Sequence, residues 1–316
     1  MVEKTMPLFD RIYFNGVFGA LGGLLGWMLF AVFGDKSASQ NQVGIQLLLG
    51  GACIGGVIGY FVVSVDAIRD RSLVRFCRLA SYGAVLGAVG GAIGMWVGDT
   101  VNFKLVEWIG AVRGTKELLL TVFARGLGWM LLGLAVGASE GIASRSMGKF
   151  TYGLAGGALG GFLGGILFSL FYDKAKNQSG SAAVWSALGL VILGACIGAL
   201  SALVRAVFQP ASVKVLRGWQ EGREYPLEKP VNLLGRDERA DIALFRDMRV
   251  EKQHALIERK GNRFLLLNHD APPEYTRVNG DAVTLSCDLK DGDRIELGNV
   301  TLRFQTKEAQ RRKASR

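Results

Sequence analysis

The octapeptide GALGGLLG begins at Gly19, and close variants of it occur twice more in the chain. All copies fit the pattern G-A-[LV]-G-G-x-[LI]-G, and they cover residues 19–26, 87–94 and 157–164. An aspartate follows each apolar stretch, at Asp35, Asp99 and Asp173. The pentapeptide GACIG also occurs twice, at residues 51–55 and 194–198. These matches predict three tandem helical hairpins of roughly 70 residues each.

The octapeptides lie in apolar stretches that are long enough to cross a bilayer, which takes about 20 residues. Six such spans are predicted, at residues 13–33, 43–65, 79–98, 118–142, 150–172 and 180–204. The fourth span contains Arg125 and Glu140, and we expect Arg125 to extend toward an interface. Residues 103–112 are too short to span and are expected to lie along the outer interface. The sequence therefore predicts an all-α membrane bundle over residues 1–208.

Short-loop charges predict the orientation of these spans. One side of the bilayer would hold eleven Lys and Arg residues, including Arg69, Arg75 and Arg145, and the other side would hold six. The positive-inside rule then places both termini in the cytoplasm of a multi-pass inner-membrane protein.

Glycine at every third or fourth position flattens one face of a helix, so that helix backbones can approach closely in lipid. The pattern is compatible with packing surfaces alone, with a homo-oligomeric ring or with a conduit. Few polar residues lie inside the spans, and Asn15 and Glu140 are the main candidates for a polar path. Glu140 could instead form an ion pair with Arg145 or a neighbouring loop.

The last third of the chain has a different composition. Of the 44 glycines, 37 precede residue 211, whereas later residues form short alternating apolar runs separated by turns. The runs cover residues 212–216, 223–228, 231–234, 241–245, 254–259, 264–268, 282–286, 293–297 and 300–305. Many short strands at this spacing predict a β-sandwich over residues 211–306.

Charge and motif content restrict the function classes. The chain carries a net charge of +10, but residues 211–306 are neutral overall, which argues against a nucleic-acid-binding domain. The basic tail, residues 307–316, could bind anionic lipid or remain solvated. The four cysteines and two histidines show no metal-site spacing, and no catalytic motif is present, so neither a cofactor nor an enzyme activity is expected.

Four motifs in the last third occur in a characteristic order. They are LLGR (233–236), VEKQHA (250–255), TRVNG (276–280) and LKDGDRIELG (289–298). In this order and spacing, residues 212–306 resemble a forkhead-associated (FHA) domain. The resemblance implies an eleven-stranded β-sandwich whose loops at one end bind phosphothreonine peptides.

The resemblance also implies roles for individual residues. Arg236 matches the arginine that contacts phosphate, a task that suits a guanidinium group. Gly235, His254 and Gly280 match structural positions of the family, and His254 would brace the binding loops. Asn279 belongs to the same turn motif as Gly280 and is included among the peptide-binding candidates.

Two positions depart from the family pattern. Glu251 stands where the family has a serine, and Glu274 stands where it has a loop asparagine. Both departures place carboxylates where a dianion should bind, although Lys252 could compensate in part. Conventional phosphothreonine binding, an altered ligand preference and a purely structural domain therefore remain alternatives. In the structural alternative, Arg236 pairs with Glu251.

The combined prediction is a membrane-anchored FHA signalling or scaffold protein. It would recruit a cytoplasmic protein, such as one phosphorylated by a Ser/Thr kinase, to the lipid bilayer. The alternative is a transport or pore-forming protein that is regulated through its FHA domain.

Overall fold

The computed structural model describes residues 8–33, 43–70, 72–109, 115–177, 182–261 and 263–306. The chain divides into two compact units at Phe208, a helical unit and a β-sandwich unit. Each is considered by itself below. The predicted basic tail at residues 307–316 lies outside the described residues.

Six long helices form the first unit within the part of the chain that the structure describes. They are α1 (Leu8–Phe33), α2 (Val43–Asp70), α3 (Leu73–Ile109), α4 (Thr115–Ser144), α5 (Met147–Asn177) and α6 (Ala182–Phe208). All six are long and apolar enough to cross a membrane. A helix satisfies its backbone hydrogen bonds within its own segment, which a spanning element requires. The prediction of six long apolar helices is confirmed.

Two of the helices begin at similar serine caps. Ser72 Oγ accepts the backbone N–H of Arg75 at 3.3 Å, and Ser146 Oγ accepts that of Lys149 at 3.3 Å. A serine at this position satisfies a donor in the first helical turn that has no partner within the helix. The helices α3 and α5 therefore start directly after the α2 and α4 helices end.

The third helix is longer than expected. It continues without a break to Ile109, so residues 103–109 extend the helix instead of forming a separate interfacial segment. No proline or glycine follows Gly98 until Gly110, and nothing in the local sequence interrupts the helix.

Glycines of each octapeptide face two neighbouring helices in alternation. In α3, a Cβ added at Gly87 or Gly91 would overlap backbone of α2, whereas one added at Gly94 would overlap backbone of α4. Gly90 also faces α4, where it meets the Ala135 side chain. The first and fifth positions thus contact one neighbour, and the fourth and eighth contact the other. The octapeptides of α1 and α5 follow the same alternation, through Gly19, Gly22, Gly23, Gly26, Gly157, Gly160, Gly161 and Gly164.

The last helix packs against the first. A Cβ at Gly194 of α6 would overlap the backbone of Gly19 in α1, and one at Gly19 would overlap Gly194. Trp27 Nε1 also donates a hydrogen bond to Ser186 Oγ at 3.0 Å between the same two helices. Each helix therefore has two glycine-lined neighbours, and the six helices form a closed ring.

Closure of the ring predicts that Gly194→Val destabilises the helical unit by about 1–3 kcal/mol, because the added atoms force two backbones apart. The measurement is thermal unfolding of the purified protein in detergent, with size-exclusion chromatography as the readout of the folded fraction.

The matched control for this prediction is Gly44→Val. Gly44 lies in the first turn of α2 and has no atom within 4 Å of an added Cβ. Equal effects of the two substitutions would show that helix propensity, and not the α1–α6 contact, sets the cost.

Aliphatic side chains from the even-numbered helices fill the centre of the ring. Ile58 of α2, Leu132 of α4 and Ile197 of α6 are all fully buried, and they belong to one contiguous cluster. Burial of each such side chain contributes about 1.5–3 kcal/mol in water, and in lipid the same contacts contribute through close packing. The centre of the described bundle is thus a packed core.

A buried ion cluster lies at the end where α2, α4 and α6 finish. Glu140 in α4 pairs with Arg205 of α6 and accepts a hydrogen bond from Lys149 Nζ of α5 at 2.9 Å. Arg205 also lies 3.6 Å from the Asp66 carboxylate of α2. The cluster therefore links four helices and has no net formal charge.

The predicted ion pair between Glu140 and Arg145 was wrong. Arg145 is exposed and adopts a left-handed backbone conformation in the α4–α5 turn, with φ of 50°. Its side chain is outside the bundle, whereas Lys149 and Arg205 reach Glu140 from neighbouring helices. Asn15, the other polar candidate, is buried and donates from Nδ2 to the Arg11 carbonyl of its own helix at 2.9 Å.

Eleven strands form the second unit within the described residues. They are β1 (Ala211–Arg217), β2 (Glu224–Leu227), β3 (Val231–Gly235), β4 (Ile242–Ala243), β5 (Ala255–Lys260), β6 (Arg263–Asn268), β7 (Thr276–Val278), β8 (Asp281–Ala282), β9 (Ser286–Leu289), β10 (Arg294–Leu297) and β11 (Val300–Thr306). The predicted β-sandwich is confirmed. The run predicted at residues 282–286 is instead the connection between β8 and β9, since Leu285 is 80% exposed and cannot contribute to the core.

The strands form two sheets. Their orders are β2-β1-β11-β10-β7-β8 and β4-β3-β5-β6-β9. All pairs are antiparallel except β3 with β4. Fully buried side chains of both sheets, including Leu302 and Phe304 from one and Ile257 and Leu266 from the other, form the core. Along most strands, inward-facing apolar residues alternate with outward-facing residues, as expected for two packed sheets. The packed sheets provide fixed ends from which the loops extend.

Candidate functional site

Gly235 and Arg236 end strand β3 against the loop between β4 and β5. A Cβ at Gly235 would overlap the Lys252 carbonyl and would lie 3.1 Å from that of Glu251. The Arg236 N–H donates to the Glu251 carbonyl at 3.0 Å. Glycine is required here by this close approach, and it places Arg236 beside residues 251 and 252.

His254 connects this loop to the loop that precedes β7. Its Nδ1 accepts the Glu251 N–H at 3.0 Å, so Nε2 carries the proton of the neutral ring. Nε2 lies 3.2 Å from the Tyr275 carbonyl and 3.1 Å from Thr276 Oγ1. Thr276 in turn donates to Asn268 Oδ1 at 3.0 Å. The imidazole is fully buried and braces three loop segments.

Burial lowers the pKa of His254, and this effect outweighs the Tyr275 hydrogen bond and the nearby Glu251 and Asp247 carboxylates, which raise it. The unfolded chain takes up a proton near the ordinary histidine pKa of about 6.5. In the folded domain, His254 takes up a proton only at a lower pH, because its pKa is lower there. The free energy of unfolding is therefore expected to decrease as the pH falls below about 6.5.

This pH dependence can be measured by hydrogen exchange of strands β3 and β5 in the full-length protein between pH 5 and 8. His254→Gln should remove most of the dependence while lowering stability at every pH. His269, the other histidine, is 43% exposed, and His269→Gln is the matched control that should keep the dependence. Identical pH profiles for the two variants would contradict the assignment.

Among the described residues, the Arg236 side chain has no carboxylate partner. Its Nη1 donates to the Met248 sulfur at 3.0 Å, and its Nε is shielded from solvent without a hydrogen-bond partner. Within residues 182–261 and 263–306, no ion pair involves Arg236, so it does not pair with Glu251. A thioether is a weak acceptor, and the guanidinium charge therefore remains available to an anion.

The remaining candidates at this end are exposed to different degrees. Lys252 is exposed and follows Glu251 in the β4–β5 loop, whereas Glu251 itself is half-buried. Glu274 is exposed and lies in a short 3₁₀ helix, Pro273–Tyr275. The structure thus brings Gly235, Arg236, Glu251, Lys252, His254 and the Glu274 loop to one end of the sandwich.

Asn279 and Gly280 lie elsewhere. They form the tight β7–β8 turn, with φ of 54° and 97°, at the opposite end of β7 from Thr276. The Asn279 side chain donates to Asp293 Oδ1 at 2.9 Å and accepts the Arg294 N–H at 2.9 Å. The structure therefore gives Asn279 a turn-stabilising position that is separate from Arg236.

Sequence reasoning missed the residues that hold the β4–β5 loop. Asp247 Oδ2 accepts the Asn299 N–H at 2.6 Å, and Asp247 Oδ1 accepts the Arg249 N–H at 3.0 Å. The β10–β11 turn is further constrained by Gly298, whose φ is 57°. The Asp-x-Arg spacing is a typical side-chain-capped turn and could have indicated the local bond, but no pattern indicates the contact across 52 residues.

A polar cleft of about 290 Å³ adjoins these loops. It is lined by Arg249, Glu274, Tyr275, Arg277, Glu296 and Gly298. Among the described residues, no group of three or more His, Cys, Asp or Glu side chains could hold a metal ion. The side chains that line the cleft carry both positive and negative charges.

Comparison with known proteins supports the assignment of the second unit. Residues 214–308 match the family described as the inner membrane component of T3SS, cytoplasmic domain. This match lies within the C-terminal unit and covers less than a third of the chain. No curated protein matches the chain.

Solved structures also match over the C-terminal unit. A structure from work on phosphothreonine-dependent FHA domain interactions is 29% identical, covers 31% of this chain and 96% of that chain, and has a TM-score of 0.28. The FhaA FHA domain, crystallised with an intracellular domain, is 29% identical and covers 30% of this chain and 99% of that one, with a TM-score of 0.27. An FHA domain from Chlamydia trachomatis is 25% identical over 30% and 96% of the two chains, with a TM-score of 0.28.

Proposed function

We propose that this protein is a membrane-anchored recognition module whose FHA-like domain recruits a phosphothreonine-containing protein to the inner membrane. The observation that carries the proposal is the Arg236 side chain, which is placed by Gly235 and contacts the Met248 sulfur instead of a carboxylate. An incoming phosphate would replace this weak acceptor with charge-assisted hydrogen bonds.

The helical unit serves as the anchor in this proposal. Three related hairpins span the bilayer, and both termini are cytoplasmic, as the short-loop charges favour. The match of residues 214–308 to the cytoplasmic domain of an inner membrane component supports this location. The packed aliphatic centre favours an anchor over a conduit, because pore linings usually carry polar residues. The buried Glu140 carboxylate is paired with Arg205 and Lys149.

Glu251 and Glu274 set the conditions for binding. Neither carboxylate has an ion-pair partner among the described residues, so both can repel a phosphate group. Glu251 is half-buried, and both of its backbone polar groups form hydrogen bonds: its carbonyl accepts the Arg236 N–H, and its N–H donates to His254 Nδ1. These two bonds fix the position of the Glu251 backbone and therefore of its Cβ. We infer weak to moderate affinity that depends on residues flanking the phosphothreonine.

The test is titration of the full-length protein in nanodiscs against a phosphothreonine peptide library, with unphosphorylated copies of each peptide as controls. The expected result is binding of a subset of the phosphorylated peptides and of none of their unphosphorylated copies. Equal affinity for both forms would exclude phosphate recognition. An absence of binding to either form would favour a structural role for the domain.

A further inference from the structure

An exposed tryptophan and an arginine pair at the loop end of the FHA-like domain. Trp219 lies in the β1–β2 loop and is 47% exposed. The guanidinium of Arg246, in the β4–β5 loop, lies 4.3 Å from the centre of the Trp219 ring. Such a cation–π contact holds the two loops together and leaves part of the indole facing solvent.

The β4–β5 loop holds Arg246 in an unfavourable conformation. Its φ is 68°, in the left-handed region that a long side chain rarely adopts. The adjacent Asp247 side chain accepts hydrogen bonds from the Asn299 and Arg249 backbones, so the loop is fixed on the C-terminal side of the strained residue. Strain that is held in place by surrounding bonds is typical of functional sites.

The same loop continues to Arg236 through Met248. Met248 is 77% exposed, yet its sulfur contacts Arg236. Trp219, Arg236, Arg246 and Met248 together form what we call the Trp–Arg surface. It carries two positive charges and two large exposed apolar side chains, and the acidic residue next to Arg246 in the chain, Asp247, is engaged by Asn299 and Arg249.

We propose that the Trp–Arg surface selects phosphopeptides by a flanking sequence, in which one apolar side chain packs on Trp219 and Met248 and one acidic side chain pairs with Arg246. This rests on the proposed function, because Arg236 would hold the phosphate of the same peptide. Trp, Met and Arg are the residue types enriched at binding surfaces, where they combine apolar area with directed hydrogen bonds.

Charge explains why the flanking residues are acidic. Glu251 and Glu274 weaken the phosphate site, so a peptide needs additional favourable contacts with cations. Arg246 supplies one that is already oriented by its stacking on Trp219. A basic flanking residue at this position would meet Arg246 and be rejected.

The experiment uses the full-length protein in nanodiscs and a phosphothreonine peptide library in which each flanking position is varied. The wild type is expected to prefer peptides with one apolar and one acidic residue on the same flank. Trp219→Ala should weaken binding of the preferred peptides by about tenfold or more and abolish the apolar preference. Trp219→Phe should retain most of the affinity and shows that the fold persists.

Arg246→Gly removes the side chain and relieves the backbone strain, because glycine adopts a positive φ readily. It should weaken binding of acidic-flank peptides by about three- to tenfold while leaving neutral-flank peptides unchanged. The matched control is Arg259→Ala, since Arg259 is also exposed and lies 5.9 Å from the Phe264 ring, but at the far β5–β6 turn. This control should bind like the wild type.

The outcomes separate the two proposals. If the wild type binds phosphopeptides and both Trp219→Ala and Arg246→Gly keep the wild-type preferences, the Trp–Arg surface is not a specificity surface and only this inference fails. If the wild type does not distinguish phosphorylated from unphosphorylated peptides, the proposed function fails, and the inference fails with it.

Discussion

Replacing Arg236 with alanine is expected to weaken binding of phosphothreonine peptides by about 100-fold or more, since removing one partner of a desolvated charge pair costs about 2–5 kcal/mol. The guanidinium is already positioned by Gly235 and its neighbours, so the loss reflects the missing phosphate contact and not a rearranged loop. Isothermal titration of the full-length protein in nanodiscs measures the change.

Two further variants sharpen this prediction. Arg236→Lys keeps the charge but cannot form two parallel hydrogen bonds, and it should recover only part of the affinity. Arg263→Ala removes an exposed arginine at the start of β6, at the other end of the sandwich, and should bind normally. Affinity of Arg236→Ala within about threefold of the wild type would refute phosphate binding at Arg236.

Replacing Glu140 with alanine is expected to destabilise the helical unit by about 3–5 kcal/mol, because Arg205 and Lys149 would keep buried charges without their shared partner. The side chains of Glu140 and Arg205 are 7% and 13% exposed, so water can solvate the remaining cation only poorly. The loss of stability can be measured by unfolding the detergent-solubilised protein at increasing concentrations of SDS.

The double variant Glu140→Gln with Arg205→Met tests this explanation. Removing both charges should cost less than removing Glu140 alone, since well-packed neutral side chains can replace a buried pair at little cost. The remaining carboxylate, Asp66, is 41% exposed and can be solvated. A double variant that is less stable than Glu140→Ala would mean that the ion cluster itself, and not the excess positive charge left by Glu140→Ala, dominates stability.

The two units divide the work in this proposal. The closed ring of glycine-packed helices around an aliphatic core would serve as the anchor, and the loop end of the sandwich would bind the peptide. The site depends on positions fixed by backbone contacts, such as Gly235 against Lys252 and His254 against Tyr275. Preorganisation of this kind lowers the entropic cost of binding a flexible peptide.

Parts of the candidate site were predictable because they are local. The Gly235–Arg236 pair and His254 are recognisable by their spacing within short motifs, and both lie at the loop end in the structure. Asn279 shared a motif with Gly280 but lies across β7 from Arg236, because a three-residue strand separates the two ends. Met248 and Trp219 carry no motif, and their roles depend on contacts between loops.

Sequence alone determined the six apolar helices and the β-sandwich, because hydrophobic length and alternation are properties of consecutive residues. It also indicated close helix packing, since only glycine leaves room for a neighbouring backbone. Tertiary structure decided which neighbours meet: that α6 closes on α1 through Gly194, and that Arg205, 65 residues along the chain, neutralises Glu140. It also decided that Arg236 faces the Met248 sulfur and not Glu251, because loops from different strands converge only after the sheets have packed.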